Sequence, residues 1–437
     1  MSAFVILFAS ALFSFGIHKL SILKSLGMTA LAVAGVLAVL GYTTPLNGFS
    51  SSSAIQLFEV MVFIVLGAVI LSEDENINIT QSLFIAAASV LVLESATLLT
   101  FVISFEALSI ISFILVSNIK DATQAEGAVK MFISGAIATG LIVLGLTLYA
   151  LEGHSLNEAV NIKAGIFGTL GLWVMLMGLF YKLTIVPMHS WAADSYAQVR
   201  PSHAAILSGV AKTVVVIATF YIFSPFILEN LSFNTPILVV LSVATMTLGN
   251  VLALFQKKIG KILSYSSIAH AGYMLLAFAA VQSSYASTGL LYIAIAYIFM
   301  QTALFLLLDK LSNGASDMTL EDFKGLADKD KFSALFFTIQ LFSLAGIPLL
   351  AGFISKAVLV YAVVDADMTI VALIALLNSA LSVAYYAWII KHIYFDEANR
   401  KNKIASVQKM PLIAQTVLLA GTLYFGVFAY SVFSVTL

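Results

Sequence analysis

Long apolar runs, separated only by brief polar stretches, fill the 437-residue sequence. A bilayer core about 30 Å thick needs about 20 apolar residues per helix, so these runs predict an all-α polytopic membrane protein. Only 10% of the residues are charged, against about 25% in soluble domains. We expect about fourteen transmembrane helices, at residues 2–17, 25–42, 54–72, 81–97, 99–117, 128–151, 166–191, 202–224, 235–255, 262–282, 286–309, 332–362, 367–391 and 411–436.

The sequence contains no cysteine. Thiolate-ligated iron–sulfur clusters, structural thiolate zinc and disulfides are therefore excluded for this chain. No phosphate-binding or dinucleotide-binding glycine pattern occurs, and no two histidines have metal-ligand spacing, so we expect no cofactor and no metal here. A net charge of −1 without a basic patch argues against nucleic acid as a partner. The lipid bilayer is the partner that the composition predicts.

Positive charge is distributed unevenly between the two sets of loops that fourteen helices create. One set contains only Lys163. The other contains Lys19, Lys24, Lys120, Arg200, Lys257, Lys258, Lys261, Lys310, Lys324, Lys329, Lys331, Lys391, Arg400, Lys401, Lys403 and Lys409. The positive-inside rule assigns the richer set to the cytoplasm, so both termini are predicted on the periplasmic side of a bacterial inner membrane.

Two prolines interrupt apolar runs in their interior. Pro187 lies in the predicted seventh helix, and Pro348, preceded by Gly346, lies in the predicted twelfth. The other prolines are expected in loops or at helix starts: Pro45, Pro201, Pro225, Pro236 and Pro411. Paired interruptions of this kind are typical of transporters with repeated halves, although each can also be an ordinary kink in a packed membrane helix.

The interruptions are five helices apart, and five is odd, so the sequence predicts two inverted five-helix repeats with broken helices 7 and 12. The single membrane domain, 1–437, would then begin with helices 1–3 (1–80). The first repeat, helices 4–8, would cover 81–224, and the second, helices 9–13, would cover 235–391. Helix 14 (411–436) would close the chain.

Five ionisable side chains lie in otherwise apolar segments: Glu106, Lys130, Lys182, Lys212 and Lys356. A charge at mid-helix costs roughly 2.5 to 3.5 kcal/mol if it faces lipid, so these groups must face a hydrated or mutually paired interior. The proton affinity of a buried lysine changes strongly as a carboxylate approaches or leaves, which is the property a proton carrier requires. We therefore predict that the five form a proton relay.

Each of these residues also has a structural interpretation. Lys130 lies near its helix start and can extend to the cytoplasmic interface, Glu106 can neutralise one lysine statically, and the other lysines can serve packing alone. His189 and His270 can extend the relay, since histidine titrates near neutrality, or can simply form hydrogen bonds between packed helices.

Six stretches of sequence together resemble one known family: FEALSI, EGAVKMFISGA, YKLTIVPMHSWAADSY, SGVAKT, KKIGKILSYSSIAHAGYM and FSLAGIPLLAGFISKAVL. They resemble the antiporter-like membrane subunits of complex I (NADH:quinone oxidoreductase), of multi-subunit sodium/proton antiporters and of membrane-bound hydrogenases. The resemblance implies that Glu106 and Lys182 form the acid–base pair of a first half-channel, with Lys130 adjacent. It implies that Lys212 links to a second half-channel and that Lys356 lies towards the exit.

Within this family three features favour subunit N. They are Lys356 in place of a glutamate, the run LLNSALSVAYYAWIIKHIYF, and a fourteenth helix as the last expected span, without the lateral helix of subunit L. The resemblance then implies a translocase subunit that pumps protons and has no redox centre of its own. Quinone, flavin and iron–sulfur clusters are expected on partner subunits, and subunits M, K, J, A and H are the expected neighbours.

Two other interpretations remain open: a subunit of a sodium/proton antiporter, and a noncatalytic scaffold in a membrane-bound hydrogenase. One stretch also departs from the family pattern. After Tyr196 the sequence reads AQVRPSHAAI in place of the usual Gly-Ala-Pro stretch. The resemblance therefore predicts nothing about the contacts of Arg200 and His203.

Overall fold

A computed structural model describes residues 2–41, 47–117, 122–160, 165–397, 410–429 and 432–433. Within these ranges the chain is helical, and the only β-type pairings are the isolated bridges Phe49–Ser95 and Lys258–Thr319. Eleven helices are long and apolar enough to cross a membrane, and three more apolar helices are shorter. The all-α membrane architecture is confirmed, whereas the number of spans and the division into repeats stay predictions.

The helices follow one another along the chain. They are α1 Ser2–Ser14, α2 Leu20–Val39, α3 Ser53–Ser72, α4 Asn76–Glu94, α5 Leu98–Val116, α6 Ala122–Leu151, α7 Ile166–Leu183, α8 Ser190–Gln198, α9 Pro201–Ala204, α10 Lys212–Glu229, α11 Leu231–Leu254, α12 Ile259–Ala279, α13 Ala286–Ser312, α14 Leu326–Lys329, α15 Lys331–Ala345, α16 Ala351–Asp365, α17 Thr369–Tyr394 and α18 Leu412–Val427. A π-helical turn, Ala205–Ala211, joins α9 to α10, and a 3-10 helix, Leu320–Phe323, precedes α14.

Helix α13 forms the centre of the bundle. Its most apolar 18-residue window is 100% buried, and the helix contacts α3, α12, α15, α16, α18 and the π-helical turn. Small residues allow this close packing: a Cβ on Gly289 would lie 3.1 Å from the Cα of Leu359 on α16. Three of the relay candidates, Lys212, His270 and Lys356, lie on helices that contact α13.

The expected seventh helix is broken, as predicted. Helix α7 ends at Leu183, Thr184 adopts a left-handed conformation (φ 65°), the Val186–Pro187 bond is cis, and α8 begins only at Ser190. Side chains form hydrogen bonds with backbone groups that have no helical partner at the break. The Trp191 indole donates to the carbonyl of Tyr181 at 3.0 Å, and the Val186 amide donates to Thr245 Oγ1 at 3.0 Å.

The expected twelfth helix is broken as well. Helix α15 ends at Ala345, and Gly346 continues it with φ 91°, a conformation that glycine adopts without the steric cost of a Cβ. Leu349 also has a positive φ of 72°, and α16 begins at Ala351. Pro348 thus lies between two half-helices, and the carbonyls at the end of α15 have no continuing helix to bond.

The expectation that Pro225 and Pro236 lie in loops or at helix starts is wrong. Helix α10 continues to Glu229 with Pro225 inside it, and α11 begins at Leu231, five residues before Pro236. Neighbouring groups in a membrane bundle can replace the backbone bonds that a proline removes. Here Pro225 leaves the carbonyl of Tyr221 without its backbone donor, and the hydroxyl of Ser224 donates to that carbonyl at 3.3 Å.

Several charged positions used to predict the topology lie outside the described residues, as does Pro45. These positions are Lys120, Lys163, Arg400, Lys401, Lys403 and Lys409.

Candidate functional site

Lys212 stands at the start of α10, directly after the π-helical turn, with a side chain 4% exposed. Its ammonium group donates to Thr184 Oγ1 at 3.1 Å and to Ser267 O and Oγ at 3.1 and 2.5 Å. Thr184 is the left-handed residue at the first break. The broken helix therefore supplies one of the oxygens that hold this charge, and the ring of Tyr196 lies 5.6 Å away.

Lys356, on α16, has an equivalent environment at the second break. Its Nζ donates to Leu344 O at 2.8 Å, to Ala345 O at 3.3 Å and to Ser379 Oγ at 3.0 Å. The two carbonyls belong to the last residues of α15. Interrupting the helix thus creates the acceptors that allow an ammonium group to lie inside the membrane. Lys356 also lines a cavity of about 540 Å³ between α15, α16 and α17.

His270, on α12, lies between these two lysines. Its Nδ1 is 3.0 Å from the carbonyl of Ser266, and it interacts electrostatically with both Lys212 and Lys356. The ring of Tyr273 stands beside both groups, 5.9 Å from the His270 ring and 5.1 Å from the Nζ of Lys356. His270 therefore lies between the two lysines, and its part in a relay stays a prediction.

Lys182 and Glu106 form no ion pair within 4.0 Å in the described structure. The Glu106 carboxylate instead accepts the hydroxyl of Thr139 at 2.9 and 3.1 Å. The Nζ of Lys182 lies over the ring of Phe113, 4.6 Å from its centroid. The two groups still interact electrostatically, although they are not in contact. Their role as an acid–base pair stays a prediction.

A small cavity of about 20 Å³ connects Lys182 to Lys212. The two lysines line it together with Ser109, Ser112 and Tyr196. A volume of this size holds about one water molecule when polar groups surround it. Two of the predicted relay lysines therefore border one hydratable space.

Lys130 differs from the other predicted residues because it lies at the edge of the bundle. Its side chain is 36% exposed and pairs with Glu126 at 2.6 Å and with Asp194 at 2.9 Å. Asp194 also pairs with Lys261 of α12 at 2.9 Å. Ion pairs across three helices agree with either an interfacial or a relay role for Lys130.

His189 lies half-buried at the start of α8, beside the first break. Its Nδ1 makes no hydrogen bond to any described residue. The fold thus places it near Pro187 without joining it to Lys212 or Lys356.

Sequence reasoning missed several polar residues of this region. Asp194 stands in a stretch that was used for the family resemblance, and Glu59 and Glu94 are buried in α3 and α4 and interact with each other. The signal that found Glu106, an ionisable group in an apolar run, also applies to Glu59. In the part of the chain that the structure describes, no group of three His, Asp or Glu residues is arranged to hold a metal ion.

Comparisons with known proteins agree on one family. Residues 95–382 match the family described as NADH:quinone oxidoreductase/Mrp antiporter, transmembrane region. The F(420)H(2) dehydrogenase subunit N of Methanosarcina mazei is 30% identical over 90% of this chain and 85% of its own length. The NADH-quinone oxidoreductase subunit N of Trichlorobacter lovleyi is 30% identical over 92% and 87%.

Solved structures share the fold. A chain of respiratory complex I from Thermus thermophilus superposes with a TM-score of 0.86 at 23% identity, covering 99% of this chain and 98% of that one. A chain of the Mrp complex from Dietzia sp. superposes with a TM-score of 0.88 at 18% identity, covering 99% and 94%.

Proposed function

Because the chain belongs to the family of membrane subunits shared by NADH:quinone oxidoreductase and Mrp antiporters, we propose that it moves protons across the membrane through a buried line of lysines. It acts as the subunit-N-type component of a complex I type quinone oxidoreductase. One observation carries this proposal. Lys182, Lys212, His270 and Lys356 follow one another through the interior, linked by a water-sized cavity and by the two helix breaks.

The proposed mechanism begins at the separated pair of Glu106 and Lys182. Quinone reduction elsewhere in the complex changes the field along the line and moves the Glu106 carboxylate towards or away from Lys182. A lysine near a carboxylate holds its proton more tightly, and a lysine left alone in a low dielectric releases it. The released proton passes across the shared cavity to Lys212 and continues past His270 to Lys356.

The oxygen acceptors around Lys212 and Lys356 explain how these sites hold a charge. An ammonium group has three donors, and three hydrogen bonds to oxygen are made at each site. No carboxylate is needed to keep the charge in place, so the proton can move on without first breaking a strong ion pair. This supports a relay role over a purely structural one.

Other membrane subunits of the complex are the partners of this chain, and we place antiporter-like subunit M and the small subunits K, J, A and H among them. Quinone, flavin and iron–sulfur clusters belong to partner subunits. Two relatives of equal identity are named for different electron donors, so the donor is not set by this chain. The membrane is a bacterial inner membrane, with both termini in the periplasm.

The test is proton pumping by the assembled complex in inverted membrane vesicles, driven by its native electron donor and quinone. Lys212→Ala and Glu106→Gln are compared with the wild type, and the exposed Lys391→Ala serves as the control. We expect the proton gradient to collapse in the first two variants, with electron transfer falling partly or in step. Normal gradients in both would show that the charges are structural. Sodium-driven proton exchange without any electron donor would instead favour the antiporter interpretation.

A further inference from the structure

A buried charge cluster, here called the Arg200 cluster, lies at the end of the bundle where α9 begins. It consists of Arg200, Asp309, Glu73 and Glu75. Two Arg200 nitrogens donate to the two oxygens of Asp309 at 3.0 and 3.1 Å, and Nη1 lies 3.3 Å from Glu75 and 3.8 Å from Glu73. The Glu75 side chain is 30% exposed whereas Glu73 is 1% exposed, so the cluster leads inward from solvent.

His203 continues this cluster into the membrane. Asn78 Nδ2 donates to Glu73 Oε2 at 3.0 Å, and Asn78 Oδ1 lies 3.4 Å from Nε2 of His203. His203 is 2% exposed and lies in α9, which the π-helical turn separates from Lys212 at the start of α10. Burial raises the pKa of Glu73, and Arg200 beside it opposes this effect. A carboxyl that accepts protons readily is therefore linked to an imidazole through the side chain of Asn78.

The π-helical turn decides how His203 stands relative to Lys212. In a regular α-helix, residues nine apart are separated by about 900°, and their side chains lie half a turn apart. A π-helical turn bonds residue i to i+5, so it takes up one extra residue and turns the following part back by about 100°. His203 and Lys212 are thereby brought to within about 80° of each other around the helix axis.

Polar groups occupy the interval between the two residues. Ser208 lies on the π-helical turn, and Gln301 of α13 donates to its Oγ at 3.4 Å and to the carbonyl of Leu263 at 3.3 Å. Gln301 Oε1 is buried and makes no hydrogen bond to a described residue. Buried polar atoms of this kind are normally satisfied by ordered water. The interval spans about 13 Å along the helix axis at 1.5 Å per residue, so a chain of several waters on these polar groups is needed to carry a proton across it.

We propose that His203 carries protons from the Arg200 cluster to Lys212, on the side predicted to be cytoplasmic. The inference rests on the proposed function and adds to it the residue that supplies Lys212 with protons. The imidazole accepts a proton on one ring nitrogen and releases one from the other, the amine of Lys212 takes it, and no co-reactant is needed. Asn78 and Arg200 act as positioning residues, since they hold the imidazole and the carboxylates in place.

Asn78 on α4 contacts His203 directly, and the charged groups of this end stand behind it. The carboxylates are Glu73, Asp74, Glu75 and Asp309, and the cations are Arg200, Lys310 and Lys24. Four carboxylates against three cations leave this end with a net negative charge. That charge favours proton uptake from solvent.

The decisive variant is His203→Gln, which keeps hydrogen-bonding capacity and removes titration. In inverted vesicles with the assembled complex, we expect the initial rate of lumen acidification to fall by about a hundredfold, the lower end of what a positioned acid–base group contributes. The control is His392→Gln, another buried histidine, whose Nδ1 contacts Trp388 O at 2.8 Å, and it should pump at the wild-type rate.

Chemical rescue separates a proton-carrying role from a packing role. His203→Ala leaves space for an imidazole ring, so added imidazole should restore proton transport in that variant and leave Lys212→Ala inactive. Transport is followed here as membrane potential with an oxonol dye, because imidazole is a permeant weak base that dissipates a pH gradient by itself. The inference is overturned if His203→Gln pumps at the wild-type rate, or if imidazole restores nothing in His203→Ala. If either of these results is found and Lys212→Ala is inactive, the proposed function stands and only the role of His203 is rejected. If Lys212→Ala pumps at the wild-type rate, the proposed function and the role of His203 are both rejected.

Discussion

The three relay lysines occupy two kinds of environment. Lys212 and Lys356 are each held by three oxygen acceptors, whereas Lys182 lies over aromatic rings and has no hydrogen bond to a described residue. Cation–π contacts are weaker than charge-assisted hydrogen bonds. The ammonium group of Lys182 is therefore held in place less firmly than those of Lys212 and Lys356. This suits a group that a moving carboxylate controls.

The hydroxyl of Thr139 sets the resting position of Glu106. Thr139→Val removes the one hydroxyl that donates to the two carboxylate oxygens, and a hydrogen bond to a charged group is worth about 1.5 to 3 kcal/mol. We expect proton translocation to slow by about tenfold or more on that basis. Thr147→Val is the matched control, since Thr147 lies on the same helix, is exposed and bonds only to Val143 O. Equal acidification rates in the two variants would contradict this role.

At the residue scale the sequence was informative about charges and silent about their partners. The ionisable groups of apolar runs could be found by inspection. Thr184, Ser267 and Ser379 could not, because a serine or threonine in a membrane helix commonly bonds its own backbone, as Thr213 does with Gly209 O at 2.7 Å. Only the packing of α7, α12 and α17 turns these three towards a lysine.

The helix breaks are the elements that create the lysine sites. Both were predictable, because a proline inside a long apolar run removes a backbone bond wherever it occurs. The π-helical turn was not predictable, since its sequence AILSGVA is as compatible with an α-helix as with a π-helix. Pro225 was misjudged because the predicted helix was ended at residue 224, whereas α10 accommodates the proline and continues to Glu229.

Gly346 tests the second break. Gly346→Ala places a Cβ on a left-handed residue, which costs roughly 1 to 2 kcal/mol, so we expect lower thermal stability of the purified complex. Lys356 should also be disturbed, because that Cβ would lie 3.6 Å from its Nζ. Gly140→Ala on α6, where a Cβ meets nothing within 4 Å, should leave stability unchanged or improve it. A Gly346→Ala complex as stable as wild type would count against a strained break.

At the scale of the whole molecule, the Arg200 cluster ties together α3, α9 and α13. Arg200→Ala leaves Asp309 and Glu73 buried without their partner, a change that costs about 3 to 5 kcal/mol in comparable sites. We expect a large loss of assembled complex, measured by its yield and melting temperature. Arg200→Met combined with Asp309→Leu should lose less, because the carboxylate that Arg200 binds most closely leaves with it and only Glu73 stays buried without the guanidinium. If the single and double variants are equally unstable, the charges themselves are not the cause.

The family and the helical architecture followed from the sequence because lipid permits few structures and the motifs cover most of the chain. The placement of the Arg200 cluster did not follow, since Arg200 and Asp309 are 109 positions apart in the chain. Such pairings depend on how the bundle closes around α13.

The burial of α13 has a consequence for how the protein is made. This helix touches no lipid in its most apolar window, yet its mean hydropathy there is 2.1, as high as that of the half-exposed helices. Helices α15, α16 and α18, which cover it, are synthesised later. A newly made α13 therefore has to enter the bilayer before that part of its cover exists, and its apolar character reflects this step as much as its final position.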